Sequence, residues 1–120
     1  MEDRIRFITH QGEQILLVDL SNCSTAEVER IIRAVPGVVT TRPRASVLIL
    51  SDFTGASFDR AALRTIKETA VFDKPYIKAS AWIGGEALSG AFLEELKGFS
   101  RREFPAFQTR LAALEWLVKE

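Results

Sequence analysis

Histidine and cysteine are almost missing from this chain: its 120 residues include one His, His10, and one Cys, Cys23. One of each leaves no disulfide framework and no Cys/His metal cluster, so neither cofactor nor metal is expected. A nucleophile–histidine dyad could use only His10. That residue stands where a strand-like segment meets a turn, and it reads as an exposed turn histidine. Cys23 has no second cysteine and no catalytic signature around it. A place just before a helix would lower its pKa slightly, but a small packed or half-exposed thiol is the simpler reading. Charge of one sign is lacking too: 16 Lys and Arg face 16 Asp and Glu, for a net charge of zero. That balance argues against a nucleic-acid partner held by bulk charge. The longest apolar runs, residues 15–18 and 47–50, fall far short of the ~20 residues needed to cross a bilayer, so no stable membrane insertion is expected. The charged opening, Met1-Glu2-Asp3-Arg4, leads into no apolar core of a signal peptide, and the cytoplasm is the expected compartment. No phosphate-cradling motif is present either: Gly84, Gly85 and Gly90 match neither G-x-G-x-x-G nor the P-loop.

What is present is the mixture of a globular domain, 47% hydrophobic and 27% charged. Residues 4–9 alternate like a strand, residues 11–13 form a hairpin turn around Gly12, and residues 14–20 follow as a strand buried on both faces. Ser24-Thr25-Ala26-Glu27 is a capping box. Val28, Ile31, Ile32 and Val35 behind it mark an amphipathic helix, which either stops at Pro36-Gly37 or runs on through Val38-Val39. Residues 47–50 form a buried central strand ending near Asp52. Asp59 or Ser57 caps a helix over residues 60–72, with Ala62, Leu63, Ile66 and Ala70 inward, and Asp73-Lys74-Pro75 breaks it. Residues 76–83 read as a strand with Ile77, Ala79, Ala81 and Ile83 on one face and Tyr76, Lys78, Ser80 and Trp82 on the other. A helix over 88–99 carries the stripe Phe92, Leu96, Phe99. Residues 101–107 form a last strand with Pro105 at an edge. Thr109 caps a final helix whose inner face is Leu111, Leu114, Leu117 and Val118. The order β-β-α-β-α-β-α-β-α predicts one α/β domain over 1–120, with a mostly parallel sheet, an N-terminal hairpin and packed helices.

In parallel sheets, ligands gather beyond the carboxyl ends of the strands. Two loops would meet there, and together they supply the candidate residues Asp52, Thr54, Gly55, Ser57, Asp59, Gly84 and Gly85. Asp and Ser also serve as ordinary caps and turn formers, and the glycines as turn residues. Lys78, a cation within an apolar strand, joins the candidates. It would snorkel to the rim, pair with an acid such as Asp52, or bind an anionic group. Arg42, Arg44, Arg101 and Arg102 read as solvated basic surface, and Trp82 as core or interface.

The segments Val47-Leu48-Ile49-Leu50-Ser51-Asp52-Phe53-Thr54-Gly55-Ala56-Ser57-Phe58 and Lys74-Pro75-Tyr76-Ile77-Lys78-Ala79-Ser80-Ala81, with the closing stretch 104–118 containing Ala112-Ala113-Leu114-Glu115-Trp116-Leu117, resemble the SpoIIAA-like fold. STAS domains and CRAL-TRIO lipid-transfer domains share that fold, and the chain is most similar to small stand-alone bacterial SpoIIAA-like proteins of unknown function. The resemblance spans essentially the whole chain and rests on the order and spacing of loose motifs. In STAS anti-sigma-factor antagonists, an Asp-Ser-Ser-Gly-like helix start carries a phosphorylated serine. The matching Asp59-Arg60-Ala61-Ala62 keeps only the aspartate, so that switch does not carry over unless Ser57 or Thr54 stands in. A helix N-terminus would accept the added negative charge. The resemblance implies a non-enzymatic regulatory or interaction module that docks a protein partner or a second copy of itself. Kinship with lipid-transfer domains, and eight Phe, imply as an alternative a carrier or sensor of a small apolar ligand, without the larger helical gate. An enzyme using Asp52, Asp59 and Lys78 ranks last, because no nucleophile or histidine is placed beside them.

Overall fold

The computed structural model describes residues 3–84 and 88–119. In chain order these form β1 (Ile5–His10), β2 (Glu13–Asp19), α1 (Thr25–Val39), β3 (Val47–Asp52), α2 (Arg60–Asp73), a 3-10 turn (Lys74–Tyr76), β4 (Ile77–Ile83), α3 (Gly90–Ser100), β5 (Ala106–Phe107) and α4 (Arg110–Lys119). The expected order of strands and helices is the observed one. The sheet is β1-β2-β3-β4-β5, antiparallel only between β1 and β2.

A sheet wound in a single direction keeps successive right-handed crossover helices on one face. Accordingly α1, α2 and α3 all pack on one side, over Leu16, Val18, Val47, Ile49 and Trp82. The other face carries Ile15, Leu17, Leu48, Leu50, Ala81 and Ile83, and the buried residues of α4, Ala113 and Leu117, close it. Both faces of β2 and β3 are therefore covered, which is why residues 15–18 and 47–50 are unbroken aliphatic runs. The strand order also never reverses, so the sheet lacks the crevice that a reversal opens in doubly wound sheets.

Local chemistry explains the element ends. The hairpin turn is Gln11-Gly12, both at positive φ (51° and 81°), between the paired His10 and Glu13. That geometry suits the twist of the flanking strands. The capping box forms as read: the Glu27 N–H donates to Ser24 Oγ at 3.2 Å, and the Ser24 N–H donates to Glu27 Oε1 at 2.9 Å. Helix α1 continues through Pro36 to Val39, so the second of the two expectations holds there. Asp59, not Ser57, caps α2, with Oδ1 accepting from the Ala62 N–H at 2.8 Å.

Several expectations need correction. A register shift between Val47 and Leu48 pairs Val47 with Ile77 but Leu48 with Ala79. The extra residue, Lys78, breaks the two-residue alternation, so Ile77 packs with the α1–α3 side while Ala79, Ala81 and Ile83 face α4. The last strand is only Ala106–Phe107, because Arg101 turns left-handed (φ 56°) at the end of α3 and Arg102 reaches inward. The inner residues of α3 are Phe92, Leu93 and Leu96. Phe99 is 56% exposed, and Leu111 of α4 is 58% exposed. His10 is half-buried rather than exposed, with Nε2 enclosed and unpartnered. Cys23 is buried, as the packed-thiol reading has it, and that burial pushes its pKa up rather than down.

Candidate functional site

The carboxyl ends of β2 and β3 repeat one local pattern. Asp19-Leu20-Ser21-Asn22 and Asp52-Phe53-Thr54-Gly55 each place an aspartate at the strand end, then a buried apolar residue, a hydroxyl residue, and a left-handed residue (Asn22 φ 58°, Gly55 φ 70°). Each aspartate accepts the backbone N–H two residues on: Ser21 N to Asp19 Oδ1 at 3.1 Å, and Thr54 N to Asp52 Oδ1 at 3.0 Å. These turns end the strands while the parallel ladder carries on, through Leu20 N to Asp52 O at 2.8 Å and Asn22 N to Thr54 O at 2.8 Å.

Asp19 and Asp52 are register partners on neighbouring strands, so two carboxylates lie side by side. Uncompensated, they would repel each other. Arg110, the first residue of α4, stands across both, with Nε 2.9 Å from Asp52 Oδ2 and a terminal nitrogen 3.3 Å from Asp19 Oδ1. Arg4 adds a donor 3.6 Å from Asp19 Oδ1 and hydrogen-bonds the Ser21 carbonyl at 2.9 Å. Burial acts to raise the Asp19 pKa, but the Ser21 hydroxyl and amide together with Arg110 outweigh it and hold the carboxyl below its ordinary range. Burial likewise acts to lower Arg110, and the hydrogen bond and charge of Asp52, with Asp19, raise it instead. The result is a closed, charge-balanced set of two aspartates and two arginines.

The loop after β3 sits beside this set. Phe53 is buried and anchors it, its ring 4.7 Å from Trp82 and 5.6 Å from Phe58. Thr54, Gly55, Ser57 and Asp59 are exposed. The Ser57 N–H donates to Cys23 O at 3.0 Å, and the residue itself is exposed. Gly84 ends β4 against this loop at φ 73°, and a Cβ there would lie 2.5 Å from Thr54 N. A side chain at Gly55 would run into the Asn22 amide. Gly84 is thus required by a close backbone approach, whereas Gly55 is favoured by the positive φ, the clash there being only with the movable end of the Asn22 side chain. Gly85 lies outside the described residues.

The structure therefore brings together Asp52, Thr54, Gly55, Ser57, Asp59 and Gly84. It leaves Lys78 out. Lys78 is exposed in the first half of β4, five positions and roughly 16 Å along the strand from Ile83, the register partner of Asp52. The partner of Asp52 is Arg110, which the sequence reading missed along with Asp19, Arg4 and Ser21. The recurring Asp-apolar-(Ser/Thr) at the ends of two aliphatic runs was the available signal for Asp19. Nothing local marks Arg110, 58 residues from Asp52.

A second cluster lies between the sheet and the helical layer. Arg102, read as solvated surface, instead donates to Ala70 O at 2.9 Å and Ser80 Oγ at 2.6 Å, with its guanidinium over the Phe104 ring. Burial lowers its pKa to about 10, opposed by Asp73. Asp73 is buried, with Oδ1 unpartnered, and burial raises its pKa to about 6 against the pull of Arg102. The cavity between them, about 40 Å³, is otherwise walled by side chains such as Ile32, Ile66 and Trp82. Among the described residues, no group of three or more His, Cys, Asp or Glu could hold a metal ion, and no helix is long and apolar enough to cross a membrane.

No protein-family model matches the chain, and no curated protein matches it. Among solved structures, it is similar to an uncharacterized protein from the DUF3478 family with a SpoIIAA-like fold, from Shewanella loihica PV-4. The match has a TM-score of 0.71 and 18% sequence identity, and covers 94% of this chain and 91% of that one. At that identity the likeness is one of fold, and it agrees with the resemblance read from the sequence. The chain has the SpoIIAA-like fold.

Proposed function

We propose that this chain works as a non-enzymatic interaction module of the STAS type, docking a protein partner or a second copy through the loop at residues 53–59 and the exposed side of α2. One observation carries the reading: the carboxylates at the strand ends are tied up in ion pairs with Arg110 and Arg4, while the neighbouring loop presents Thr54, Ser57 and Asp59 to solvent from a rigid aromatic anchor. A general acid or base needs a carboxylate within reach of a substrate proton, and Asp52 is instead spent on Arg110 and the Thr54 amide. The carrier reading has less support. The apolar pocket between the sheet and the helical layer, about 40 Å³, suits water-sized occupants, and the larger hollows of about 250 and 380 Å³ are surface grooves with charged rims, whereas small-molecule sites of roughly 300 Å³ and more are lined mainly by apolar side chains.

The test pairs native mass spectrometry with affinity purification. The purified chain should show the bare mass of a monomer or dimer. Tagged wild-type chain should retain a stoichiometric protein, or a second copy of itself, that T54R/S57E loses while keeping wild-type circular dichroism. A lipid-like mass released on denaturation, or partner retention indifferent to T54R/S57E, would overturn the reading.

A further inference from the structure

Between α2 and α3 runs a surface groove of about 250 Å³ whose lining is Arg60, Leu63, Arg64 and Lys67 from α2 with Phe92 and Glu95 from α3. Its α2 wall follows from helix geometry. Arg60, Arg64, Lys67 and Val71 stand at i, i+4, i+7 and i+11, one outward stripe about 16 Å long at ~1.5 Å per residue. On α3, Phe92, Glu95 and Phe99 stand at i, i+3 and i+7 and form the opposite wall. The floor is apolar, from half-buried Leu63 and Phe92. At the far end two apolar side chains remain in water, Val71 at 41% and Phe99 at 56% exposure.

The α2 wall of this groove is cationic throughout, with Arg60, Arg64 and Lys67, and the α3 wall sets one carboxylate, Glu95, against it. Lys67 is already engaged, with Nζ 3.3 Å from Glu95 Oε1 and 4.6 Å from the centre of the Phe99 ring. Arg60 and Arg64 carry no ion pair or hydrogen bond among the described residues. In a chain of zero net charge, two unspent guanidinium groups beside an apolar floor form a local surplus that a partner can complement. A concave trough between two helices, apolar at the base and cationic along one wall, matches a helix with one apolar and one acidic face.

We infer that the α2–α3 groove is a docking site for an acidic amphipathic helix of about three turns from a partner protein. Its apolar residues lie over Leu63, Phe92 and Phe99, and its carboxylates reach Arg60 and Arg64. The inference rests on the interaction-module reading and supplies the chemistry of the partner. A flat anionic bilayer fits less well, because the apolar floor of Leu63 and Phe92 is half-buried between the two helices, recessed from the plane that a bilayer would contact.

The experiment is a selection of phage-displayed random 16-residue peptides on the full chain, followed by fluorescence polarisation with the most enriched peptide. Enriched sequences should carry apolar residues at i and i+3 or i+4 with Asp or Glu between them. R60E/R64E, both exposed positions, should keep the wild-type circular dichroism spectrum and weaken that peptide at least tenfold. T54R/S57E should leave its affinity within about twofold. Enrichment of neutral or basic peptides, or no enrichment, overturns the inference. So does equal binding by R60E/R64E. Peptide binding lost in T54R/S57E but not in R60E/R64E overturns the groove while leaving the module reading standing. Sedimentation with 7:3 phosphatidylcholine–phosphatidylserine vesicles supplies the remaining outcome: vesicle binding abolished by R60E/R64E, without acidic peptides in the selection, assigns the arginines to a membrane instead and overturns the proposal.

Discussion

Asp73 offers a quantitative test of how this fold treats a buried charge. It ends α2, is only 5% exposed, and leaves Oδ1 without a partner beside a small cavity shared with Arg102. Burial lifts its pKa from 3.8 to about 6. Because the native pKa lies above the unfolded one, the native state holds a proton that the unfolded state has lost. The resulting stability is fully present below pH 3.8, shrinks as pH rises, and is gone above about pH 6. The full span is (6 − 3.8) × 1.36, or about 3 kcal/mol. Between pH 8 and pH 5 the same two pKa values yield about 1.4 kcal/mol. D73N stays neutral throughout, so it lacks this component while keeping every other titration of the wild type. Urea unfolding of both proteins at pH 5, 6, 7 and 8 should show wild-type stability gaining about 1.4 kcal/mol on D73N as pH falls from 8 to 5. A difference that stays constant within 0.3 kcal/mol, on the order of the scatter between independent sites, would refute the reasoning. It would mean the carboxylate is solvated or paired in solution.

Three further outcomes follow from the geometry. R110A strips Asp52 of its ion pair and should cost about 1–3 kcal/mol, whereas D52N/R110A should recover part of that loss; strictly additive urea-derived values would show that the two do not interact. G84A forces a Cβ against the Thr54 backbone at positive φ and should lower stability by at least about 1–3 kcal/mol, read as a fall in Tm; an unchanged Tm would mean the two loops are apart. S24A removes the capping-box acceptor at the start of α1 and should cost about 1 kcal/mol by urea unfolding, with an equal loss in S24G counting against the cap.

Much of the fold was legible because its signals are local. The capping box at Ser24 needs only four consecutive residues, and the aliphatic runs 15–18 and 47–50 announce strands covered on both faces. The errors arose where a long-range contact overrode a local pattern. Lys78 broke the alternation of β4 because the register with β3 shifts there. Phe99 continues the apolar stripe of α3 in sequence, yet the helix turns Leu93 toward the core and leaves Phe99 over Lys67. Arg102 looked like solvated surface because nothing in its neighbours reveals Ser80 and Ala70 within reach.

The candidate site divides in the same way. Its loop residues Thr54, Gly55, Ser57 and Asp59, and the end of β3 at Asp52, follow from turn and capping chemistry written in adjacent residues, and so were determined by the sequence alone. What those residues can do was decided only by tertiary structure. Asp19 stands beside Asp52 because β2 and β3 pair in parallel, and Arg110 reaches both because α4 folds back across the sheet. Side-chain periodicity and capping act over one or two turns of chain, whereas an ion pair 58 residues apart exists only once the sheet has set its register and the last helix has closed its open face.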